Sequence, residues 1–150
     1  MAVGRRKNEW VPLLRGVVSQ VHPVFMLPPL AASWFGAFFT RDISVTLGVL
    51  HMLAMFFAVY TAHVKDGYID YYVRGEDESH PLSARECRLL LIGATAGFVL
   101  VTGILGVLVD SVVVLLIIPT WVIAFLHAPY LDTNPVSATV GYPGGIALAV

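Results

Sequence analysis

Four apolar stretches, each about as long as a bilayer core is thick, constrain this chain more than any other feature. A helix needs about 20 consecutive apolar residues to cross the hydrocarbon. Hydrophobic residues make up 57% of the chain and charged residues only 13%, whereas about 25% of a soluble domain is charged. The sequence therefore predicts an all-α, polytopic transmembrane helix bundle with four full spans plus the start of a fifth. The four stretches and the beginning of the fifth cover residues 17–39, 43–64, 89–109, 112–131 and 138–150.

The overall charge and the cysteine content narrow the class of function. The net charge is −1, so no broad basic field indicates a nucleic-acid partner. The single cysteine, Cys87, can neither close an intrachain disulfide nor supply a pair of metal ligands. We expect it to pack as a small apolar residue.

Basic residues predict which helix ends face the cytoplasm. The polar segment 1–16 holds four Lys or Arg residues and the charged region 65–88 holds four more, whereas Arg41 is the only one in the opposite turns. By the positive-inside rule, the N-terminus and the loops at 65–88 and 132–138 are cytoplasmic. The chain is thus predicted to be an integral, multi-pass protein of the cell membrane. No small-residue cleavage pattern follows the basic N-terminus, so we expect the first apolar segment to be retained.

The segment from His63 to Leu82 contains five of the ten acidic residues. If the second apolar helix continues into it, His63, Asp66 and Asp70 lie along one stripe of that helix. Mg²⁺ takes oxygen ligands, commonly one or two carboxylates completed by water and phosphate. The spacing therefore suits a metal and phosphate site, with Lys65 and Arg74 as candidate phosphate contacts. A solvated loop between two membrane helices would account for the same charges, and spacing alone leaves both interpretations open.

Three further patterns concern helix ends and packing. Ser83 and Glu86 have the spacing of a capping box, which predicts a helix start. Gly93 and Gly97 form a small-residue pair that favours close helix packing. A second polar cluster, at the predicted cytoplasmic end of the fourth span, would share a membrane face with Asp66 and Asp70. It consists of His127, Tyr130, Asp132 and Asn134.

The acidic stretch resembles the first signature of the UbiA-type intramembrane prenyltransferases. That signature reads Asn-Asp-x-x-Asp-x-x-x-Asp at the cytoplasmic end of the second helix, and the polar loop after it ends in Arg-Pro-Leu. Asp66 and Asp70 match its last two aspartates, while Ala62 and His63 replace the leading Asn-Asp pair. His80 replaces the arginine of the loop.

The similarity extends from about residue 14 onward, and the run 134–145 is similar to the family's entry into its fifth helix. The resemblance implies a helical bundle that binds a prenyl diphosphate through Mg²⁺ and transfers the prenyl group to an acceptor, such as a quinone precursor or a lipid. It makes Asp66 and Asp70 the metal ligands. Lys65, Arg74 and His63 are the candidate diphosphate contacts.

The family's second aspartate-rich motif has no counterpart in the 150 residues. We therefore expect the chain to be one transmembrane domain, 1–150, that forms the amino-terminal half of a longer prenyltransferase-like protein.

Two other functions fit parts of the pattern. The membrane enzymes that transfer phosphoalcohols from CDP-linked lipids begin with Asp-x-x-Asp-Gly-x-x-Ala-Arg. This chain has His63 where the first aspartate belongs and Asp70-Tyr71 in place of Ala-Arg. The stronger alternative is a catalytically inactive or partial prenyltransferase-like protein with a binding or assembly role in the membrane.

Overall fold

All regular secondary structure in the described residues is helical, which confirms the predicted all-α class. The computed structural model describes residues 10–39 and 43–148, apart from the side chain of Ala37. The basic residues 5–7, the predicted turn at 41–42 and Val150 lie outside the described residues. The helices are α1 (Trp10–Ser19), α2 (Pro23–Phe38), α3 (Val45–Ile69), α4 (Ala84–Leu108), α5 (Ser111–Leu126) and α6 (Pro135–Ala147).

Two helices end in a wider, π-helical turn. Asp70–Arg74 continues α3 and His127–Leu131 continues α5. With these turns included, three helices of the described chain are long and apolar enough to cross a membrane: Val45–Arg74, Ala84–Leu108 and Ser111–Leu131. Helix α2 has 16 residues and α6 has 13, fewer than the roughly 20 of a full span. Three of the predicted spans thus have a helix of sufficient length and hydropathy, and the prediction of four full spans plus the start of a fifth is not confirmed.

The first apolar segment does not form one continuous helix. Helix α1 begins earlier, at Trp10, and the chain leaves helical geometry between Gln20 and His22. A residue that precedes proline is disfavoured in helical geometry, whereas proline fits the first position of a helix. Pro23 therefore separates α1 from α2. The Tyr60 hydroxyl of α3 donates to the Val17 carbonyl near the end of α1, at 3.0 Å.

Helix α3 lies at the centre of the bundle and packs against α2, α4 and α5. Its inward positions carry small or flexible side chains such as Ala54, Met55 and Ala58, all of which are buried. Large apolar side chains are exposed on the outside of the other helices, with Val107 87% exposed and Leu115 69% exposed. Large apolar side chains on the outer surface suit a lipid environment, where the outside of a helix bundle need not be polar.

Both predicted cytoplasmic loops are shorter in the structure. The charged region 65–88 is helical at both ends, so the irregular segment covers only residues 75–83. The prediction of a loop over residues 132–138 is wrong at its C-terminal end, because α6 already begins at Pro135. The Asn134 side chain accepts from the Val136 amide at 2.9 Å and caps α6.

The predicted capping box at the start of α4 is confirmed. The Ser83 hydroxyl accepts from the Glu86 amide at 3.3 Å, and the Glu86 carboxylate accepts from the Ser83 amide at 2.7 Å. Gly75 ends the preceding π-helical turn with a φ of 68°. Glycine adopts this left-handed conformation without the steric cost that other residues pay.

The two glycines of the predicted packing pair have different environments. A Cβ on Gly97 would lie 2.7 Å from the Phe57 ring of α3, whereas a Cβ on Gly93 would meet nothing within 4 Å in the described chain. We expect Gly97→Ala to lower the free energy of unfolding by about 1–3 kcal/mol, the usual cost of a crowded contact, and so to lower the melting temperature. Gly93→Ala is the matched control and should be neutral or slightly stabilising, since alanine favours helix. Thermal unfolding of both variants in nanodiscs measures the difference, and equal melting temperatures would contradict the assigned packing.

Candidate functional site

A cavity of about 400 Å³ lies between α2, α3, α5 and α6. On α3 its lining runs from Met55 to Asp66, a length of about 16 Å at the rise of an α-helix. Most of the lining is aliphatic or aromatic. Two of its polar side chains are bonded within the protein: Thr120 donates to the Ile117 carbonyl at 2.7 Å and Tyr142 to the Phe25 carbonyl at 2.8 Å.

The bond from Tyr142 follows from a proline in α2. Pro29 has no amide hydrogen, so the Phe25 carbonyl four residues earlier lacks its usual partner within the helix. In an apolar environment such a carbonyl is commonly bonded by a neighbouring helix. The Tyr142 hydroxyl supplies that bond and holds α6 against α2, which makes α6 one wall of the cavity.

The remaining polar lining is concentrated at one end of the cavity. His63 and Asp66 of α3 and His127 of the π-helical turn after α5 line it there. All three side chains are half-buried. We call these three residues the polar end of the cavity.

An acidic cluster lies beside the polar end. Asp66, Asp70 and Asp132 can each offer a carboxylate oxygen, and these atoms lie within 4.8 Å of one another. Asp66 and Asp70 come from the end of α3, as the predicted continuation of that helix requires. Asp132 follows the π-helical turn of α5, so the two polar segments that were predicted to share one membrane face do meet at one end of the bundle.

Arg74 joins the two π-helical turns. Its guanidinium donates to both Asp132 oxygens at 3.0 and 2.8 Å, to Asp70 at 3.2 Å and to the Ala128 carbonyl at 2.6 Å. Pro129 helps to explain the turn of α5, because it lacks an amide hydrogen and its ring cannot fit against the previous helical turn. The Asp132 amide instead bonds to the His127 carbonyl at 3.0 Å.

The hydrogen bond from Arg74 holds the pKa of Asp132 below its ordinary value, and the positive charge of the guanidinium adds to this. Asp132 therefore stays ionised at neutral pH. Asp66 differs, because its carboxylate accepts no hydrogen bond from the described residues while it lines the cavity. Three carboxylates, one of them without a hydrogen-bond donor, fit the oxygen preference of Mg²⁺.

The three residues predicted to contact phosphate do not lie together in the structure. Arg74 lies within the acidic cluster, with its donors directed at protein oxygens. The Lys65 ammonium lies 3.0 Å from the centre of the Phe125 ring, in a cation–π contact. His63 lies about one helical turn from Asp66, towards the apolar part of the cavity. Asp132 was placed at the same face by its sequence position, but no local spacing marked it as a possible third ligand.

His80, which stands where the resembled family has arginine, is folded against its own loop. Its Nδ1 lies 2.9 Å from the Leu82 carbonyl oxygen and 3.2 Å from the Leu82 amide nitrogen, so it donates to the first or accepts from the second according to its tautomer. A Cβ on Gly67 would lie 2.8 Å from His80 Nε2. A side chain at position 67 would therefore crowd the His80 ring, which lies close to α3 at this point.

Comparison with protein-family models, with curated proteins and with solved structures finds no match for this chain. The similarity to the UbiA-type prenyltransferases accordingly rests on the motif residues quoted from the sequence, and it stays a prediction.

Proposed function

We propose that this protein binds a prenyl diphosphate in the membrane with the help of Mg²⁺ and transfers the prenyl group to an acceptor. The observation that carries the proposal is the continuity of two sites. An apolar cavity of about 400 Å³ reaches Asp66, and Asp66 belongs to a cluster of three carboxylates within 4.8 Å. A ligand with an apolar chain and an anionic head needs an apolar chamber that ends at a cation site.

In this proposal Asp66, Asp70 and Asp132 hold the metal. When bound, Mg²⁺ neutralises the charge that develops on the leaving diphosphate. The cavity binds the prenyl chain and keeps water away from its reactive carbon. His63 lies where the chain meets the head and can donate to a diphosphate oxygen. Lys65 and Arg74 supply positive charge near the head, provided that both leave their present contacts.

The ion pairs of Arg74 favour a second candidate function. A guanidinium bonded to Asp70 and Asp132 already neutralises part of the cluster without a metal. The same residues would then serve only to join α3 and α5, in a prenyltransferase-like protein with a binding or assembly role. The two candidates differ in whether diphosphate binding depends on Mg²⁺.

A binding experiment separates them. We expect full-length protein in nanodiscs to bind farnesyl thiodiphosphate, a sulfur-bridged analogue that resists cleavage, in the presence of Mg²⁺ and to lose this binding in EDTA. Asp70→Asn should weaken the binding at least tenfold, since a charged ligand of the metal is removed. Glu78→Gln, in the exposed loop, is the matched control. Calorimetric titration gives the affinities, and equal binding with and without Mg²⁺ would favour the assembly role.

We also propose that α2 crosses the membrane as a fourth span, that α6 begins a fifth, and that the acidic cluster faces the cytoplasm of a multi-pass cell-membrane protein. In a Cys87→Ala background, single cysteines at Ser79 and Thr133 should react with an impermeant maleimide from the cytoplasmic side. A cysteine at Ser111 should react from the opposite side. All three positions are exposed. Labelling of Ser79 and Ser111 variants from one side would refute the proposed topology.

A further inference from the structure

One face of helix α1 is packed against the bundle. Leu13 and Val17 contact the core that α3 and α4 share. Gly16 is buried, and a Cβ added there would collide with the Leu82 side chain of the loop before α4. Together with the bond from Tyr60 to the Val17 carbonyl, these contacts fix α1 to α3 and to that loop.

The exposed side of α1 is divided into an apolar and a polar strip. Four large apolar side chains, each 46–69% exposed, form what we call the apolar stripe: Trp10, Val11, Leu14 and Val18. Arg15 and Ser19 are four residues apart, hence neighbours on a helix, and form the exposed polar strip. A helix surrounded by hydrocarbon is apolar all round, whereas an apolar strip beside a polar one is typical of a helix that lies along a membrane surface.

The length and the position of α1 fit the same orientation. Its 10 residues measure about 15 Å, half of the roughly 30 Å of a bilayer core. Gln20, directly after α1, is buried beside the end of α3 that carries the acidic cluster. Its Oε1 lies 3.5 Å from a Cβ built on Gly67, the residue that follows Asp66. Helix α1 therefore lies at the end of the bundle where α3 leads into the polar loop.

We propose that α1 lies flat at the boundary between the hydrocarbon and the lipid headgroups and binds phospholipids there. Acyl chains cover the apolar stripe, and the Arg15 guanidinium bonds to a lipid phosphate, which its planar fork of donors fits. The long stem of arginine lets its charge reach the headgroups from a partly buried helix. Trp10 suits this depth as well, because an indole ring has an apolar face and an N–H that stays hydrated.

This position of α1 has a consequence for the acidic cluster. Since Gln20 and Gly67 are neighbours, Asp66 lies at nearly the same depth as α1. The three carboxylates are thus placed at the level of the lipid headgroups, within reach of water and of ions. The inference concerns the lipid surface alone and requires neither a metal nor a prenyl group.

Two spin labels measure the orientation of α1. In a Cys87→Ala background of the full-length protein in phosphatidylcholine nanodiscs, Val11→Cys and Val18→Cys each carry one nitroxide. Both positions belong to the apolar stripe, and about 10 Å of helix axis separates them. Power-saturation electron paramagnetic resonance with oxygen and with a nickel chelate reports the depth of each label. We expect nearly equal depths, with oxygen more accessible than nickel at both positions. Ser19→Cys, on the polar strip, is the matched control and should favour nickel.

A difference in depth of about 10 Å between Val11 and Val18 would mean that α1 points across the membrane, and it would overturn the proposal. Poor access of both reagents to these two labels would show that protein covers the apolar stripe, from another segment or a second copy, and would equally overturn it. The labels need no ligand, so a failure of the prenyl diphosphate experiment would leave this result unchanged.

The phosphate contact has its own measurement. Rotational-echo double-resonance NMR between carbon-13 in the arginine guanidinium groups and lipid phosphorus-31 detects arginines that touch phosphate. The dephased fraction of the signal should fall in Arg15→Gln relative to the wild type. An unchanged fraction would refute the bond between Arg15 and the lipid phosphate.

Discussion

Asp66→Asn is expected to reduce Mg²⁺-dependent release of diphosphate from farnesyl diphosphate by about a hundredfold or more, the loss typical of removing one preorganised electrostatic contact. The substitution keeps the size of the side chain and removes its charge. Asp66 is the member of the acidic cluster that lines the cavity, and Arg74 is not bonded to it. Its charge should therefore be the one most available to a metal bound with the substrate.

Diphosphate release from protein in nanodiscs, with and without Mg²⁺, measures this effect without knowledge of the acceptor, because water that slowly enters the cavity can take the prenyl group in its place, giving farnesol and diphosphate. Glu78→Gln removes an exposed loop carboxylate and should leave the rate unchanged. Both variants should show the wild-type melting temperature within about 2 °C, because the Asp66 carboxylate makes no hydrogen bond in the described chain. Activity near that of the wild type in Asp66→Asn would show that the acidic cluster has no role in catalysis.

Arg74→Met is expected to lower the melting temperature by about 5 °C, a large shift for a chain of this size. The variant leaves Asp70, Asp132 and the Ala128 carbonyl without their shared donor, and two carboxylates then repel each other. The melting temperature of Arg74→Lys should lie between those of Arg74→Met and the wild type, because an ammonium keeps the charge but cannot make the two-pronged contact of a guanidinium with Asp132. Arg85→Met, at an exposed position of α4, controls for the loss of a surface arginine.

The same pair predicts a dependence on pH. Since Arg74 lowers the pKa of Asp132, the stability that the pair contributes is fully present above the unfolded value of about 3.8 and is lost as the pH falls through the lowered value. The difference in melting temperature between wild type and Arg74→Met should therefore narrow below pH 4. A difference that stays constant down to pH 3 would mean that Arg74 stabilises the fold through something other than Asp132.

Features set by neighbours in the sequence could be predicted from it. The capping box at Ser83 depends on one residue three positions away, and the stripe through Asp66 and Asp70 depends on the period of a helix. Both are present. Cys87 is buried, as expected for a small apolar residue. Sequence neighbours alone determine the first two outcomes, whereas the burial of Cys87 follows from its apolar character together with the packing of the bundle.

Features that depend on distant partners could not be predicted. Arg74 and Asp132 are 58 residues apart in the sequence, and no local pattern links them. The first apolar segment contains three prolines in residues 23–29. Local sterics explain the break at Pro23, whereas Pro29 remains within α2, where Tyr142 of the distant helix α6 bonds to the carbonyl that this proline leaves unpaired. The early start of α6 was missed because a capping asparagine followed by proline also suits a loop.

The long-range bond of Arg74 has a consequence for the order in which the protein is made. When only α1 to α4 have left the ribosome, Asp66 and Asp70 are present, but Asp132 and the Ala128 carbonyl are not. Among these partners, Arg74 can then bond only to Asp70, one turn earlier in its own helix. The three-carboxylate arrangement exists only after α5 has packed against α3. The candidate site is thus a product of late assembly, although most of its residues are synthesised early.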